Sequence, residues 1–239
     1  MASTPTDAGG PWVIAGTFAV SDSLAPDGCG NWVCRTLVSR ARQQPEDAMD
    51  DLFVGVNLFL VCLALALVEV HVEGPHGWAA KLPTWRIDRP WIRRLTNGKP
   101  ITGYHVYINL AILAFLHYPV VVSTWTSAGE LRVLSQYMLI AVWWDFLWFV
   151  TNPYFGLRRF KSANIWWHRR WVLGMPADYP TGMIVSAALW FGADMLQRAP
   201  RTTMGEWATL VGVIAVLTAV TAAAASRLPQ RALDETADS

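Results

Sequence analysis

Residues 52–72, LFVGVNLFLVCLALALVEVHV, form a 21-residue stretch in which Glu69 is the only acidic or basic side chain apart from His71. A helix needs about 20 mostly apolar residues to cross the hydrocarbon core of a bilayer. The stretch therefore predicts a transmembrane helix, and its single acid lies near the end of that helix.

Composition supports a membrane protein. Charged residues make up 15% of the 239-residue chain, hydrophobic residues make up 53%, and mean hydropathy is +0.27. Soluble domains average about 25% charged residues. Four further apolar stretches predict spans at residues 104–122, 131–150, 181–197 and 207–225. The span at residues 181–197, the fourth along the chain, is the shortest of the five. We expect an all-α integral membrane protein, a bundle of about five transmembrane helices with amphipathic or re-entrant cytoplasmic loops.

The predicted bundle occupies residues 51–226. Residues 1–50 are expected to be an extramembrane tail, mostly loose with at most one short helix, and the polar residues 227–239 a disordered C-terminal tail. Thirteen lysines and arginines fall in the two long loops, 73–103 and 151–180, or after the last span, against six on the other side. The positive-inside rule then predicts a multi-pass cell-membrane protein with its N-terminus outside and its C-terminus in the cytoplasm.

Several functional classes are disfavoured. A net charge of +1 lacks the basic excess of nucleic-acid-binding proteins. The motifs GxxxxGK[ST], GxGxxG, GxSxG and HExxH are absent from the sequence, which removes the common nucleotide-binding and hydrolase interpretations. Cys29 and Cys34 would lie outside, where a disulfide between them is possible, whereas Cys62 is expected to pack within its span.

Ionisable residues from several segments gather at one end of the predicted bundle. A charge in the bilayer core costs at least about 2.5–3.5 kcal/mol, so such residues are rare and tend to be functional. Glu69, His71 and Glu73 end the first span, with the two glutamates one turn apart on a shared face; His105 begins the second; Asp145 lies two turns before the end of the third; and His168 and Asp178 follow in or beside the next loop. This placement predicts one shared site, with His117 and Asp194 outside it.

Aromatic and amide side chains surround the predicted site. The segment 143–171, WWDFLWFVTNPYFGLRRFKSANIWWHRRW, contains six tryptophans, and Trp144 and Trp148 flank Asp145. Asn152 shares the face of Asp145 and should end the span, because Pro153 disfavours helix at the residue before it. Tyr104 is expected at the mouth. Trp144, Trp148, Tyr104 and Asn152 are therefore candidate substrate-binding residues.

Two chemistries fit this cluster. Carboxylates and imidazoles from several helices hold iron, zinc or manganese in bundle proteins, so the candidate metal ligands are Glu69, Glu73, His105, Asp145 and His168. The spacing is unspecific, since no predicted helix carries the ExxH pair that di-iron bundles usually supply. Without metal, Asp145, Glu69, His105 and His168 are candidate catalytic acids and bases, and nearby rings could stabilise a cation. A structural role is the alternative, in which Asp145 pairs with a base only to hold two helices together.

Three functions remain open. We prefer an integral membrane enzyme that acts on an apolar, lipid or isoprenoid-like substrate, with a site at the cytoplasmic ends of helices 1–3. A small ion- or proton-coupled transporter is less favoured, because few polar residues lie in the other half of the predicted bundle. The third is a non-catalytic subunit or assembly factor that binds a partner through small-residue faces of the fourth and fifth spans, around residues 182–193 and 219–226.

Overall fold

The computed structural model describes the backbone of residues 32–197 and 203–227 and the side chains of residues 49–197 and 204–227. Cys29, the side chain of Cys34 and most of the predicted C-terminal tail lie outside this range. The described helices are α1 (Trp32–Glu73), α2 (Pro90–Leu95), α3 (Gly103–Val122), α4 (Ser127–Thr151), α5 (Gly156–Arg159), α6 (Asp178–Leu196) and α7 (Thr203–Ala225). Two short antiparallel strand pairs join them, β1 (Arg86–Ile87) with β2 (Ile101–Thr102) and β3 (Trp171–Val172) with β4 (Met175–Pro176).

Four segments are long and apolar enough to cross a membrane: Met49–Glu73, Gly103–Val122, Ser127–Thr151 and Met204–Ala225. Each contains one of the predicted spans. The remaining predicted span, 181–197, overlaps α6 (Asp178–Leu196), which is not among these four. The chain is thus a mostly helical protein with four candidate membrane-spanning helices.

The described part of the predicted N-terminal tail is helical. Contacts divide the chain into a unit of residues 1–44 and a unit of residues 45–239. In the first unit, residues 32–44 are helical and belong to α1. These residues contain neither glycine nor proline, so nothing in them interrupts a helix once it has begun.

Helix α4 lies at the centre of the second unit. Its buried side chains include Leu139, Leu147 and Phe149, and it packs against α3, α6 and α7. The contact with α6 is the most extensive, because a glycine, Gly182, leaves room for Val142. Close approach through small residues is the usual basis of helix association in membranes, where the hydrophobic effect contributes little.

A buried serine pair also joins α4 to α6. The Ser135 hydroxyl lies 2.8 Å from the Ser186 hydroxyl and donates to the Ser186 carbonyl at 2.8 Å. Trp207 of α7 adds its indole N–H to the Ser186 hydroxyl at 2.9 Å. These bonds hold three helices at a fixed rotation, which sets the direction in which the polar residues of α4 point.

The loops at one end of the bundle fold into an ordered layer, where the sequence predicted amphipathic or re-entrant segments. The segment 74–102 contains β1, α2 and β2, and the segment 152–177 contains α5, β3 and β4. Asn97 connects the two segments. Its side-chain N–H donates to the Arg170 backbone carbonyl at 3.1 Å, and its own backbone carbonyl accepts from the Arg169 backbone N–H at 2.9 Å.

The turn after α1 contains a position that only glycine can occupy. Gly74 and Gly77 both have left-handed backbone angles, with φ of 58° and 61°. A Cβ at residue 74 would meet nothing within 4 Å, whereas a Cβ at residue 77 would lie 2.4 Å from the Trp167 ring. The ring therefore closes over Gly77, and only glycine fits there.

This difference gives a matched pair of variants. We expect Gly74→Ala to cost about 1 kcal/mol of unfolding free energy, from backbone strain alone. Gly77→Ala should cost about 1–3 kcal/mol more, because the ring of Trp167 must also move. Unfolding in mixed micelles by denaturing detergent measures both. Equal destabilisation by the two substitutions would contradict the described packing of Trp167 on Gly77.

Candidate functional site

A cavity of about 610 Å³ lies where the ordered loop layer meets α1, α3, α4 and the start of α6. Its walls combine aromatic and aliphatic side chains with a few acidic and basic groups. The ionisable residues that line it are Glu69, Glu73, Lys99, His105, Tyr137, Asp145, Asp178 and Tyr179, and its aromatic lining includes Trp78, Trp144, Trp148 and Trp167. A mostly apolar cavity with a few converging polar groups is typical of a small-molecule site.

One wall carries two glutamates and a histidine. Glu69 and Glu73 lie one turn apart on the buried face of α1, while His71 points to the exposed side. The Nε2 atom of His105 is 3.6 Å from an Oε1 atom of each glutamate. One ligand atom from each of the three residues lies within 4.8 Å of the other two, so the three could hold one metal ion.

The imidazole of His105 is fixed from two sides. Its ring stacks on Trp78 with ring centroids 3.9 Å apart and an interplanar angle of 14°. Its Nδ1 atom shares a hydrogen bond of 2.6 Å with Thr102, the residue that caps the start of α3. This bond orients Nε2 towards the two glutamates, as an outer hydrogen bond does for many histidine ligands and bases.

The second wall is built around Asp145. The Tyr179 hydroxyl donates to the Oδ2 atom of Asp145 at 2.5 Å, and the Nε2 atom of His168 lies 3.3 Å from the same oxygen. Asp145 belongs to α4, Tyr179 to the first turn of α6 and His168 to the loop between them. A fully buried histidine thus stands directly behind an acid that faces the cavity.

His168 also contacts a second acid, Asp178. Its Nδ1 atom is 3.2 Å from Oδ2 of Asp178, and that same oxygen is 2.7 Å from the Lys99 ammonium group. Burial alone would raise the pKa of Asp178, but the bond to His168 and the charge of Lys99 outweigh it and lower the pKa to about 2. Asp178 is therefore an ionised link between a histidine and a lysine.

The two walls belong to one site. Both line the same cavity, and the carboxyl of Glu69 is near enough to Asp145 to interact with it electrostatically. Acidic groups that approach each other in a low-dielectric setting favour binding a proton or a cation. Trp148, which is 3% exposed and also lines the cavity, has an indole N–H without a partner among the described residues. That donor is free for a ligand.

The predicted catalytic and metal-binding residues are brought together, in two subsets. Glu69, Glu73 and His105 form the first, and Asp145 with His168 forms the second. His168 itself does not line the cavity, so it contacts a ligand only through Asp145. The proposed five-ligand metal set is therefore not one coordination sphere in this arrangement; the metal-compatible group among the described residues has three members.

The predicted substrate-binding residues have mixed placements. Trp144 and Trp148 line the cavity. Tyr104 lies behind His105, with ring centroids 5.1 Å apart, and its buried hydroxyl has no hydrogen-bond partner among the described residues. Asn152 ends α4 as predicted, but it does not line the cavity: its side chain donates to the Gly74 carbonyl at 2.9 Å and so joins the ends of α4 and α1.

Three residues of the site were not predicted from the sequence. Lys99, Tyr179 and Trp78 complete it by contacting Asp178, Asp145 and His105, respectively. All three come from the long loops or their boundaries, where hydropathy carries no information on depth. The tyrosine in PADYP, next to Asp178, was the nearest available signal.

Polar residues at the opposite ends of the helices pair with one another. His117 lies 2.9 Å from Glu130, and Arg132 lies 3.4 Å from Asp194 and 3.1 Å from Glu206. His117 and Asp194 are therefore separate from the cavity, as predicted, and each has a local partner.

Comparisons with protein-family models, with curated proteins and with solved structures find no match to this chain. Any function assigned to the site therefore has to come from its geometry and chemistry.

The ionised Asp178 gives a pH-dependent prediction. Because its pKa is lowered from 3.8 to about 2 on folding, its contribution to stability is present above about pH 4 and is lost as pH falls towards 2. We expect Asp178→Asn to lower the unfolding free energy by about 1 kcal/mol at pH 7, a modest value because the side chain is partly exposed to solvent.

Thermal unfolding of wild type and Asp178→Asn between pH 2 and 7 measures this difference. The two unfolding curves should converge at the acidic end of the range. A difference that persists unchanged down to pH 2 would show that the effect does not come from the charge of Asp178.

Proposed function

We propose that this protein is an integral membrane enzyme that transfers protons to and from an apolar substrate of the lipid or isoprenoid class. The observation that carries the proposal is the placement of two proton-exchanging groups on different helices around one largely aromatic cavity. One group is Asp145 with Tyr179 and His168, and the other is Glu69 and Glu73 with His105.

Asp145 is the residue we assign to the reacting end of the first group. Its Oδ2 atom accepts from Tyr179, so a proton that Asp145 gives up or gains can be exchanged along this hydrogen bond, and the His168 imidazole lies 3.3 Å from the same oxygen. His168 is a positioning residue, held from behind by Asp178. An acid whose protonation is set by fixed partners is suited to general acid–base catalysis.

Glu69 and His105 are the residues we assign to the opposite step. Glu73 accepts a hydrogen bond from the Ala79 backbone N–H, and this bond fixes the glutamate pair against the loop. A substrate between the two walls could gain a proton at one end and lose one at the other. The rings of Trp144, Trp148 and Trp78 would stabilise positive charge that develops between these events.

The wall formed by Glu69, Glu73 and His105 could instead act by binding a divalent metal ion. Glu69, Glu73 and His105 provide two carboxylates and one imidazole, the ligand types that iron, zinc and manganese share. The bond from His105 to Thr102 leaves Nε2 free for coordination. A bound metal would act as a Lewis acid beside Asp145, on the same apolar substrate.

The arrangement favours an enzyme over a transporter. A transport path would need polar groups along the helices beyond the cavity, but His117, Arg132 and Asp194 are engaged with local partners. Binding of a partner protein through the small-residue faces of α6 and α7 stays a prediction, although Gly182 of α6 is used within the chain to admit Val142.

We further propose that α6 is a fifth membrane span. It has 19 residues and packs along α4 more extensively than any other helix. The loops that carry Lys99 and His168 follow the first and third spans and therefore lie on the same side, which the positive-inside rule assigns to the cytoplasm. The cavity would then open at the cytoplasmic end of the bundle.

Asp145→Asn should abolish the activity without unfolding the protein. The amide keeps the size of the carboxyl but cannot exchange a proton, and loss of a general acid typically lowers a rate by about 10²–10⁴-fold. The measurement is mass spectrometry of apolar extracts from the native host, with the gene deleted and then restored as wild type or variant. Wild type should restore an apolar product that Asp145→Asn does not.

Asp194→Asn is the matched control, since Asp194 is another buried acid on a helix but pairs with Arg132 away from the cavity. It should restore the product. Full restoration by Asp145→Asn would refute the assignment of Asp145 as the reacting acid.

Metal binding has its own prediction. Purified protein incubated with Mn²⁺ or Zn²⁺ and then desalted should retain about one ion per chain, measured by elemental mass spectrometry. His105→Ala and Glu73→Gln should lose that ion, while His117→Ala, which removes a histidine outside the cavity, should keep it. Retention of the ion by His105→Ala would rule out this metal site, and the acid–base proposal would remain to be judged by the Asp145 experiment.

A further inference from the structure

A second concavity, of about 830 Å³, lies on the surface of the ordered loop layer. We call it the arginine groove. Four arginines line it, Arg93 and Arg94 from α2 and Arg169 and Arg170 from the loop after α4, together with Asp88. Neither the acid–base site nor the metal proposal uses these residues.

The arginine groove carries uncompensated positive charge. Asp88, its single acidic lining residue, is hydrogen-bonded to Arg93, and this bond lowers the pKa of Asp88. The guanidinium of Arg170 donates to the Arg94 carbonyl at 2.9 Å. Those of Arg94 and Arg169 have neither a hydrogen bond nor an ion pair with any described residue, although the charge of Arg169 contributes to the lowered pKa of Asp88. One carboxylate therefore faces four guanidinium groups.

The positions of these arginines are fixed by the backbone. Asn97, which is 1% exposed, accepts from the Arg170 backbone N–H and donates to the Arg170 carbonyl. Gly98, with a left-handed φ of 104°, lets the Arg169 side chain pack across it, because a Cβ there would lie 2.4 Å from that side chain. Contacts between two separate loops therefore fix the shape of the groove.

Exposed apolar side chains on or next to the elements that carry these arginines suit a position at a membrane surface. On α2, Trp91 and Leu95 lie one turn apart and are 62% and 75% exposed. Leu173, at the tip of the β3–β4 hairpin, is 92% exposed. Exposed apolar residues next to arginines are typical of segments that lie in the interface, with the apolar side in the lipid and the cations at the headgroups.

We propose that the arginine groove binds the phosphate-bearing headgroup of an anionic membrane amphiphile. A guanidinium group contacts phosphate oxygens through two parallel hydrogen bonds. The two free guanidinium groups and the net positive charge around them fit the oxygens and the negative charge of a phosphomonoester or a diphosphate. The interfacial position brings such headgroups to the groove. This proposal concerns binding alone and holds whether or not the neighbouring cavity is catalytic.

Binding to the purified full-length protein in a non-ionic detergent tests it. The probes are dioctanoyl phosphatidic acid, inorganic diphosphate and dioctanoyl glycerol, which has the same chains without a phosphate. We expect phosphatidic acid to bind and dioctanoyl glycerol not to bind. Arg94→Gln/Arg169→Gln should weaken phosphatidic acid about 10–100-fold, because it removes both free guanidinium groups.

The matched control is Arg158→Gln/Lys161→Gln, which removes two exposed cations of the same loop segment outside the groove. This control variant should leave the affinity for phosphatidic acid within about twofold of wild type, because the two substituted residues lie outside the groove. Arg94→Lys/Arg169→Lys keeps the charge but not the paired hydrogen bonds, and should give an intermediate affinity even if the glutamine variant is poorly folded.

Three outcomes would overturn the proposal. The first is unchanged affinity for phosphatidic acid in both groove variants. The second is an equal loss of affinity in the control variant, which would show a diffuse charge effect. The third is tighter or equal binding of inorganic diphosphate, which would assign the groove to a free phosphate compound and not to a membrane lipid.

Discussion

The carboxyl of Asp145 is the constraint around which the other polar interactions are arranged. It lies in a candidate membrane-spanning helix, where an unpartnered charge costs several kcal/mol. The Tyr179 hydroxyl, from the start of α6, donates to this carboxyl, and the His168 imidazole, from the preceding loop, lies 3.3 Å from it. Contact with Asp145 therefore fixes where that loop returns to the bundle. His168 in turn requires Asp178, which holds Lys99 of the other loop.

This chain of contacts explains why the loop layer and the cavity form together. Lys99 is buried against Trp78, with its ammonium group 4.7 Å from the ring centroid, and Trp78 stacks on His105. One polar network thus runs from Asp145 through the loop layer to the glutamates of α1. An apolar ligand in the cavity would touch both ends of it. Such coupling suits a site that moves protons, since each end can respond to a change at the other.

Hydropathy and helical spacing predicted much of this structure. The apolar stretches located four candidate spans, Pro153 located the end of α4, and the one-turn spacing of Glu69 and Glu73 placed both on a buried face. The roles of Lys99 and Tyr179 could not be predicted, because their depth depends on how two loops fold back. Asn152 shared the face of Asp145, yet a bond to the Gly74 carbonyl takes its side chain away from the cavity.

The central claim is that the two polar walls form one site, and a double-mutant cycle between Asp145→Asn and Glu69→Gln tests it most directly. The unfolding free energies of wild type, both single variants and the double variant are measured in mixed micelles. Because the two carboxyls interact across one cavity, we predict a coupling energy of at least about 0.5 kcal/mol. Additivity within about 0.3 kcal/mol would contradict the claim, because it would show that the two acids occupy independent sites.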